Sequence, residues 1–172
     1  MAQSIVLPNR IKRLLQEGGS VVGCMVVEFR QPSVMQLLAN AGFDFVIIDN
    51  EHGPFNLETI ADLTRAAVHV GLTPIVRVPE LTYANIAQSL DAGAQGIMAP
   101  RVTAAKEVQD TVRTMKYPPL GVRGAALFRG HTQFHSGPMP ENMQAANQET
   151  MLVVQIETKE AVESLDSLLS VP

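Results

Sequence analysis

The apolar positions of this chain fall into short solid blocks, separated by longer stretches in which apolar residues recur every three or four positions. The blocks are residues 21–27 (VVGCMVV), 45–49 (FVIID), 74–78 (PIVRV), 96–100 (GIMAP) and 151–157 (MLVVQIE). A strand apolar at every position, rather than every second one, is covered on both faces, as in a parallel sheet sheathed by helices. The intervening spacing predicts helices over 33–40, 57–70, 83–92 and 104–116, and another beginning at Thr158 that includes Ala161, Leu165 and Leu168. Asn56 and Thr103 stand where N-caps belong, and Pro118-Pro119 stops the fourth of these helices. Upstream, Ile11, Leu14 and Leu15 make one face of a short helix that ends at Gly18-Gly19.

Three junctions repeat one layout. NAGFDFVIID, HVGLTPIVRV and DAGAQGIMAP each place a glycine (Gly42, Gly71, Gly93) between a helix and the next strand. Helices commonly stop on one residue in the left-handed region, which glycine enters without steric cost. The repeating strand–helix unit leaves two architectures, an open doubly wound sheet or a (β/α)8 barrel. No G-x-G-x-x-G follows the first strand, which weakens the dinucleotide-binding version of the open sheet. The polar residues favour the barrel. Asp49, Glu51 and His52 follow the second block, Arg77 closes the third, and Gln155 and Glu157 end the fifth. Such groups would share the C-terminal mouth of a barrel, where barrel enzymes build their sites. One connection is different: residues 118–145 show little periodicity and many Gly, Pro and polar residues, the pattern of a lid or intersubunit loop.

Composition narrows the classes. At 172 residues, 46% hydrophobic and 17% charged, the chain suits one soluble globular domain spanning 1–172. A net charge of −4 and scattered Lys and Arg argue against a nucleic-acid partner. The single cysteine, Cys24, rules out an intrachain disulfide, and its apolar setting predicts a buried, inert thiol. No segment approaches the roughly 18 apolar residues of a membrane span, and the N-terminus lacks a signal-peptide core. A cytoplasmic protein is expected.

The strand-end residues suit metal-assisted chemistry on an anionic oxygen substrate. Glu157 can ligate a hard divalent cation. Arg77 keeps its charge and can hold a carboxylate or stabilise an enolate. His52 is the side chain suited by type to move a proton near neutral pH. A purely structural alternative pairs Arg77 with Glu51 or Asp49, because a charge in a buried strand needs a partner. His131 and His135 imitate a zinc spacing, but the surrounding FRGHTQFHSG has no helical pattern and no third ligand, so a mobile polar loop is expected. Asp91 lies in the last turn of its helix, where a negative charge is disfavoured, and reads as solvated.

Taken together, FDFVIIDNEHGPFN, TPIVRVP, QSLDAGAQGIMAPRV, YPPLGVRGAA and LVVQIET resemble the HpcH/HpaI aldolase/citrate lyase family, and within it the 4-hydroxy-2-oxo-heptanedioate aldolase-like, metal-dependent class II pyruvate aldolases. The resemblance implies a (β/α)8 TIM barrel and reversible cleavage of a 4-hydroxy-2-oxo acid to pyruvate and an aldehyde, as in the catabolism of aromatic compounds or sugar acids. It implies a divalent cation (Mg2+, Mn2+ or Co2+) and a homo-oligomer, trimer or hexamer. By motif, His52 would be the proton acceptor, Arg77 the transition-state stabiliser, Gln155 a substrate contact and Glu157 a metal ligand. Asp91 matches an Asp that raises the basicity of the histidine, although the topology puts it at the opposite end of its barrel. Asp49 is a second candidate for orienting His52. Barrels of this kind run to about 250 residues. The chain therefore corresponds to about the first five β/α units, and stops short of the Asp expected as second metal ligand after a sixth strand. Two other readings stand beside this one: a citrate-lyase-like C–C lyase acting on a CoA thioester, and an inactive fragment or interaction module.

Overall fold

The computed structural model describes residues 5–126 and 128–171. Five strands, β1 (Gly23–Val26), β2 (Phe45–Asp49), β3 (Thr73–Arg77), β4 (Gly96–Ala99) and β5 (Met151–Val154), form one sheet in sequential order, every neighbouring pair parallel. Helices α1 (Arg10–Gln16), α2 (Ser33–Asn40), α3 (Leu57–His69), α4 (Tyr83–Ala92) and α5 (Ala105–Met115) occupy the predicted places. Asn56 accepts the N–H of Thr59 as an N-cap, and Gly42, Gly71 and Gly93 all have positive φ at helix ends. At the start of α5 the cap is inverted. Glu107, not Thr103, closes the turn by accepting the main-chain N–H groups of Thr103 and Ala104. Sequential parallel strands joined by helices are the arrangement of part of a (β/α)8 barrel.

The two faces of the sheet differ. Val46, Ile48, Val76 and Ile97 point outward and pack on Met35, Ile60, Leu63, Ala67, Ile86, Leu90 and Met115 of the helices in one buried cluster. On the other face Met25 is exposed, and Ile47, Met98 and Val153 are only half-buried. The central strand β3 is buried throughout, whereas the edge strand β5 is half-buried along its whole length. That gradient is the burial expected of a curved sheet segment whose inner face and outer edges still have surface to cover.

Several expectations change. Residues 118–145 are not one irregular lid. They hold a 3-10 turn (Gly130–Thr132) and the start of α6 (Met139–Glu149). The buried side of α6 consists of Asn142 and Ala146, so it has almost no apolar stripe to read. The last helix is two short ones, α7 (Lys159–Glu163) and α8 (Leu165–Leu169). Cys24 is half-buried rather than fully enclosed, because β1 is an edge strand. His131 is not part of a mobile polar loop: its side chain is only 8% exposed. Gln133 and Phe134, between it and the exposed His135, both have positive φ, so the two histidines are not a helical pair.

Candidate active site

Asp49 and Arg77 end adjacent strands and are register partners. In a parallel pair such residues project to the same face, here the inner one. Arg77 Nε donates to Asp49 Oδ1 at 2.8 Å and Nη2 to Oδ2 at 2.6 Å. This is the two-pronged pairing that the planar guanidinium favours. Asp49 is 1% exposed and Arg77 8%. Asp49 Oδ1 also accepts the main-chain N–H of Glu51 (3.0 Å) and of His52 (3.3 Å). Burial alone would raise the Asp49 pKa, but the Arg77 hydrogen bonds and these two N–H groups outweigh it and hold the carboxyl below its ordinary range. The Asp49 hydrogen bond likewise holds Arg77 above its usual value, against desolvation. Gly53 completes the turn, since a Cβ there would stand 2.2 Å from the Asp49 carbonyl oxygen and 2.7 Å from that of Val27.

Contacts then run from strand end to strand end. Arg77 Nη1 lies 3.4 Å from Glu51 Oε2 and donates to Gln155 Oε1 at 3.4 Å. Gln155 Nε2 donates to Glu157 Oε2 at 2.6 Å. The other Glu157 oxygen accepts the main-chain N–H of Arg101 at 2.7 Å. Arg101, just beyond β4, sits in the left-handed region with φ 55. A non-glycine residue there stores strain of order 1 kcal/mol, and such residues cluster at functional sites. Its Nε lies 3.3 Å from Glu51 Oε1, and its Nη2 donates to the Pro79 carbonyl at 3.0 Å. One carboxylate, Glu51, therefore separates the two guanidinium groups.

The structure thus brings Asp49, Arg77, Gln155 and Glu157 into one mouth, with His52 on its rim. The His52 side chain is 70% exposed, and its Nε2 lies 4.0 Å from Glu51 Oε2. Glu51, which the sequence places at the mouth and offers as a partner for Arg77, meets both Arg77 and Arg101 there. Arg101 is the participant that the sequence reading misses, although it follows β4, where the strand-end rule points.

Asp91 stands apart. It is near the C-terminus of α4, before β4, and so at the N-terminal end of the sheet. Strands of four to five residues at about 3.3 Å each separate it from the mouth. It is not simply solvated: Arg123 Nη2 donates to its Oδ1 at 2.6 Å, and His131 Nδ1 lies 4.0 Å away. The Arg123 guanidinium is 4.6 Å from the centre of the Tyr117 ring, and the Tyr117 hydroxyl is 3.3 Å from His131 Nε2. Burial, reinforced by the charge of Arg123, pushes His131 down to about 4.

Among the described residues, no group of three or more His, Cys, Asp or Glu side chains is placed to hold a metal ion. The oxygens of Glu157 and Gln155 are the hard donors that a divalent cation takes. They fit in kind, but in number they amount to one carboxylate and one amide, an arm of a site rather than a complete cage.

The HpcH/HpaI aldolase/citrate lyase family matches residues 24–172. The hydroxypyruvate/pyruvate aldolase of Roseovarius nubinhibens is 38% identical over 165 residues, covering 95% of this chain and 63% of that protein. The 4-hydroxy-2-oxo-heptane-1,7-dioate aldolase of Escherichia coli is 35% identical over 167 residues, covering 96% of this chain and 62% of that one. The crystal structure of an HpcH/HpaI aldolase from Desulfitobacterium hafniense superposes with a TM-score of 0.89 at 38% identity, over 94% of this chain and 62% of that one. This chain therefore spans a little under two thirds of the length of the relatives it matches, and over that span it belongs to the HpcH/HpaI aldolase/citrate lyase family.

Proposed function

We propose that residues 1–172 act as one domain, the first five β/α units of a (β/α)8 barrel, and carry the pyruvate-handling part of a carbon–carbon lyase. The reaction is reversible aldol cleavage of a 4-hydroxy-2-oxo acid to pyruvate and an aldehyde. The observation that carries this reading is the convergence of Arg77, Gln155 and Glu157 on one mouth in a member of an aldolase family. Two relatives are aldolases by name, one of hydroxypyruvate/pyruvate and one of 4-hydroxy-2-oxo-heptane-1,7-dioate.

His52, exposed on the rim, takes the proton of the 4-hydroxyl group, directly or through water. The C3–C4 bond then breaks, the aldehyde departs, and the electron pair is left on pyruvate as its enolate, which is then protonated at carbon to give pyruvate. Arg77 faces that charge. Asp49 fixes its Nε and Nη2, while both contacts of Nη1 are long, at 3.4 Å. Nη1 is thus the nitrogen whose N–H groups are open to a substrate oxygen. A donor held in place before charge develops is worth most in the transition state. Gln155, with its amide between Arg77 and Glu157, contacts the 2-oxo acid. Glu157 is the ligand this chain offers to a divalent cation (Mg2+, Mn2+ or Co2+), whose contribution when bound is to draw electron density from the 2-oxo acid oxygens.

The role implied for Asp91, support of His52, requires a neighbouring copy to bring that carboxylate to the mouth. For this reason the reading includes a homo-oligomer, trimer or hexamer. No described helix is long and apolar enough to cross a membrane, and the reading places the protein in the cytoplasm. Lys116 supports a route without a Schiff base. Although burial, with Lys12 and Arg123 nearby, pushes it down to about 8, its Nζ donates to Asn147 and Thr150 just before β5, at the end of the sheet away from the mouth. The test is pyruvate release by the complete protein from a 4-hydroxy-2-oxo acid. Activity is expected to vanish with EDTA and return with Mg2+, Mn2+ or Co2+, and borohydride with pyruvate is expected to trap no adduct. A trapped lysine adduct would replace this reading with Schiff-base chemistry.

A further inference from the structure

Glu157 is exposed and lies beyond the last residue of β5, so packing does not fix its carboxylate. Two hydrogen bonds do. Gln155 Nε2 donates to Oε2 at 2.6 Å, from a side chain whose other end reaches toward Arg77. The main-chain N–H of Arg101 donates to Oε1 at 2.7 Å. Only this second donor is anchored by the fold itself. Pro100 and Val102, on either side of Arg101, are both buried. Val102 packs with Ala99, Val108, Ala161 and Leu168 between β4 and helices α5, α7 and α8. The next two N–H groups, of Thr103 and Ala104, are held by Glu107.

The backbone of Arg101 is unusual for its residue type. At φ 55 it occupies the left-handed region that the chain elsewhere gives to glycine, at Gly42, Gly71 and Gly93. A residue with a Cβ meets steric resistance there, and such strain persists only where the surroundings hold it. The Arg101 side chain is 62% exposed, so its burial does not account for the conformation. What the turn delivers is direction: Val102 enters the core while the N–H of residue 101 meets Glu157 across from β5.

Resting on the reading of Glu157 as the metal ligand of this chain, we infer that Arg101 is its positioning residue, acting through the main-chain N–H that the left-handed turn aims at Oε1. Each Glu157 oxygen accepts one hydrogen bond and keeps a further lone pair for a cation. A carboxylate oriented in advance loses less freedom when it takes up the ion. Partners that orient a ligand in this way commonly carry about 10–100-fold in metal affinity. Glycine is then the substitution that position 101 tolerates best, although it deletes the whole side chain, because it enters the left-handed region without cost.

The test is the Mn2+ affinity of the complete protein, read from the electron paramagnetic resonance signal of the free ion. Arg101→Gly and Arg101→Val both delete the guanidinium, so the difference between them reports the backbone. Arg101→Gly is expected to keep Kd within about three-fold of the wild type. Arg101→Val brings a β-branched side chain that the left-handed region excludes, and is expected to weaken Kd by about 10–100-fold. Should Arg101→Val fail to fold, Arg101→Ala takes its place, with a smaller loss in the same direction. Equal Kd values for Arg101→Gly and its partner variant would overturn the inference, whether both match the wild type or both are weak, because the backbone would then carry none of the effect. Glu157→Gln, measured alongside, is expected to weaken Mn2+ binding more than any change at position 101. If it leaves Kd unchanged, the assignment of Glu157 as a ligand falls first, and this inference falls with it.

Discussion

The two ends of the sheet each hold a close arginine–aspartate pair, Arg77–Asp49 at the C-terminal end and Arg123–Asp91 at the N-terminal end, both with a contact of 2.6 Å. What surrounds them separates their roles. At the C-terminal end the neighbours are Glu51, Arg101, Gln155 and Glu157, and Arg77 keeps one nitrogen on long contacts. At the N-terminal end the neighbours are the Tyr117 ring and a desolvated His131, and the Arg123 side chain is 1% exposed. The pair chemistry is the same. An arginine held by one carboxylate but bordered by further polar groups can respond to a substrate, whereas one closed in by aromatic and helix-end atoms ties the 117–132 connection to α4.

His52→Ala should lower the turnover of retro-aldol cleavage by about 10²–10⁴, the weight of general acid–base catalysis, with melting temperature unchanged because the ring is 70% exposed. A near-wild-type rate in a steady-state pyruvate assay would reassign the base. Arg123→Ala should do the reverse. It leaves the Asp91 carboxylate, only 25% exposed, without its partner, at a cost of about 3 kcal/mol in chemical denaturation. If the Arg123–Asp91 pair only ties α4 in place, turnover per folded molecule should stay within a few-fold, whereas a larger kcat loss would support the role of Asp91 toward His52 of a neighbouring copy.

Acid should expose the N-terminal end as well. The folded state holds His131 down to about 4, while in the unfolded chain it titrates near the ordinary 6.5. As pH falls from 6.5 to 4, the unfolded state binds a proton that the folded state refuses, so stability falls across that window, by at most about 3 kcal/mol. Asp49, held below its ordinary range, extends the loss at lower pH. Urea midpoints at pH 7.5 and 5 should differ in the wild type and converge in His131→Gln.

Much of this was legible in the sequence because it depended on period and position. Solid apolar blocks gave five parallel strands, glycines marked three helix ends, and polar residues at strand ends marked the mouth. What was not legible depended on packing between distant segments. α6 hides because its buried positions are Asn142 and Ala146, and His131 looked like a loop residue until Arg123, Tyr117 and Asp91 closed around it. Asp91 shows both sides of this. Its awkward place in a helix's last turn was visible, but the Arg123 that offsets it stands 32 residues further along the chain. Arg101 stands just after β4, where the strand-end rule points, but its left-handed backbone and the carboxylates it touches are not visible in one dimension.

The central claim is that the Arg77 guanidinium at the C-terminal mouth stabilises charge that develops as a 4-hydroxy-2-oxo acid is cleaved. Its most direct test is kcat and KM for pyruvate release by the complete protein and its Arg77→Lys variant, with divalent cation present. A lysine keeps the charge but lacks the fork that Asp49 holds. The account predicts a kcat about 10²–10³ lower, with KM within a few-fold, the signature of an interaction made in the transition state. An unchanged kcat with a raised KM would contradict it, and would make Arg77 a ground-state anchor.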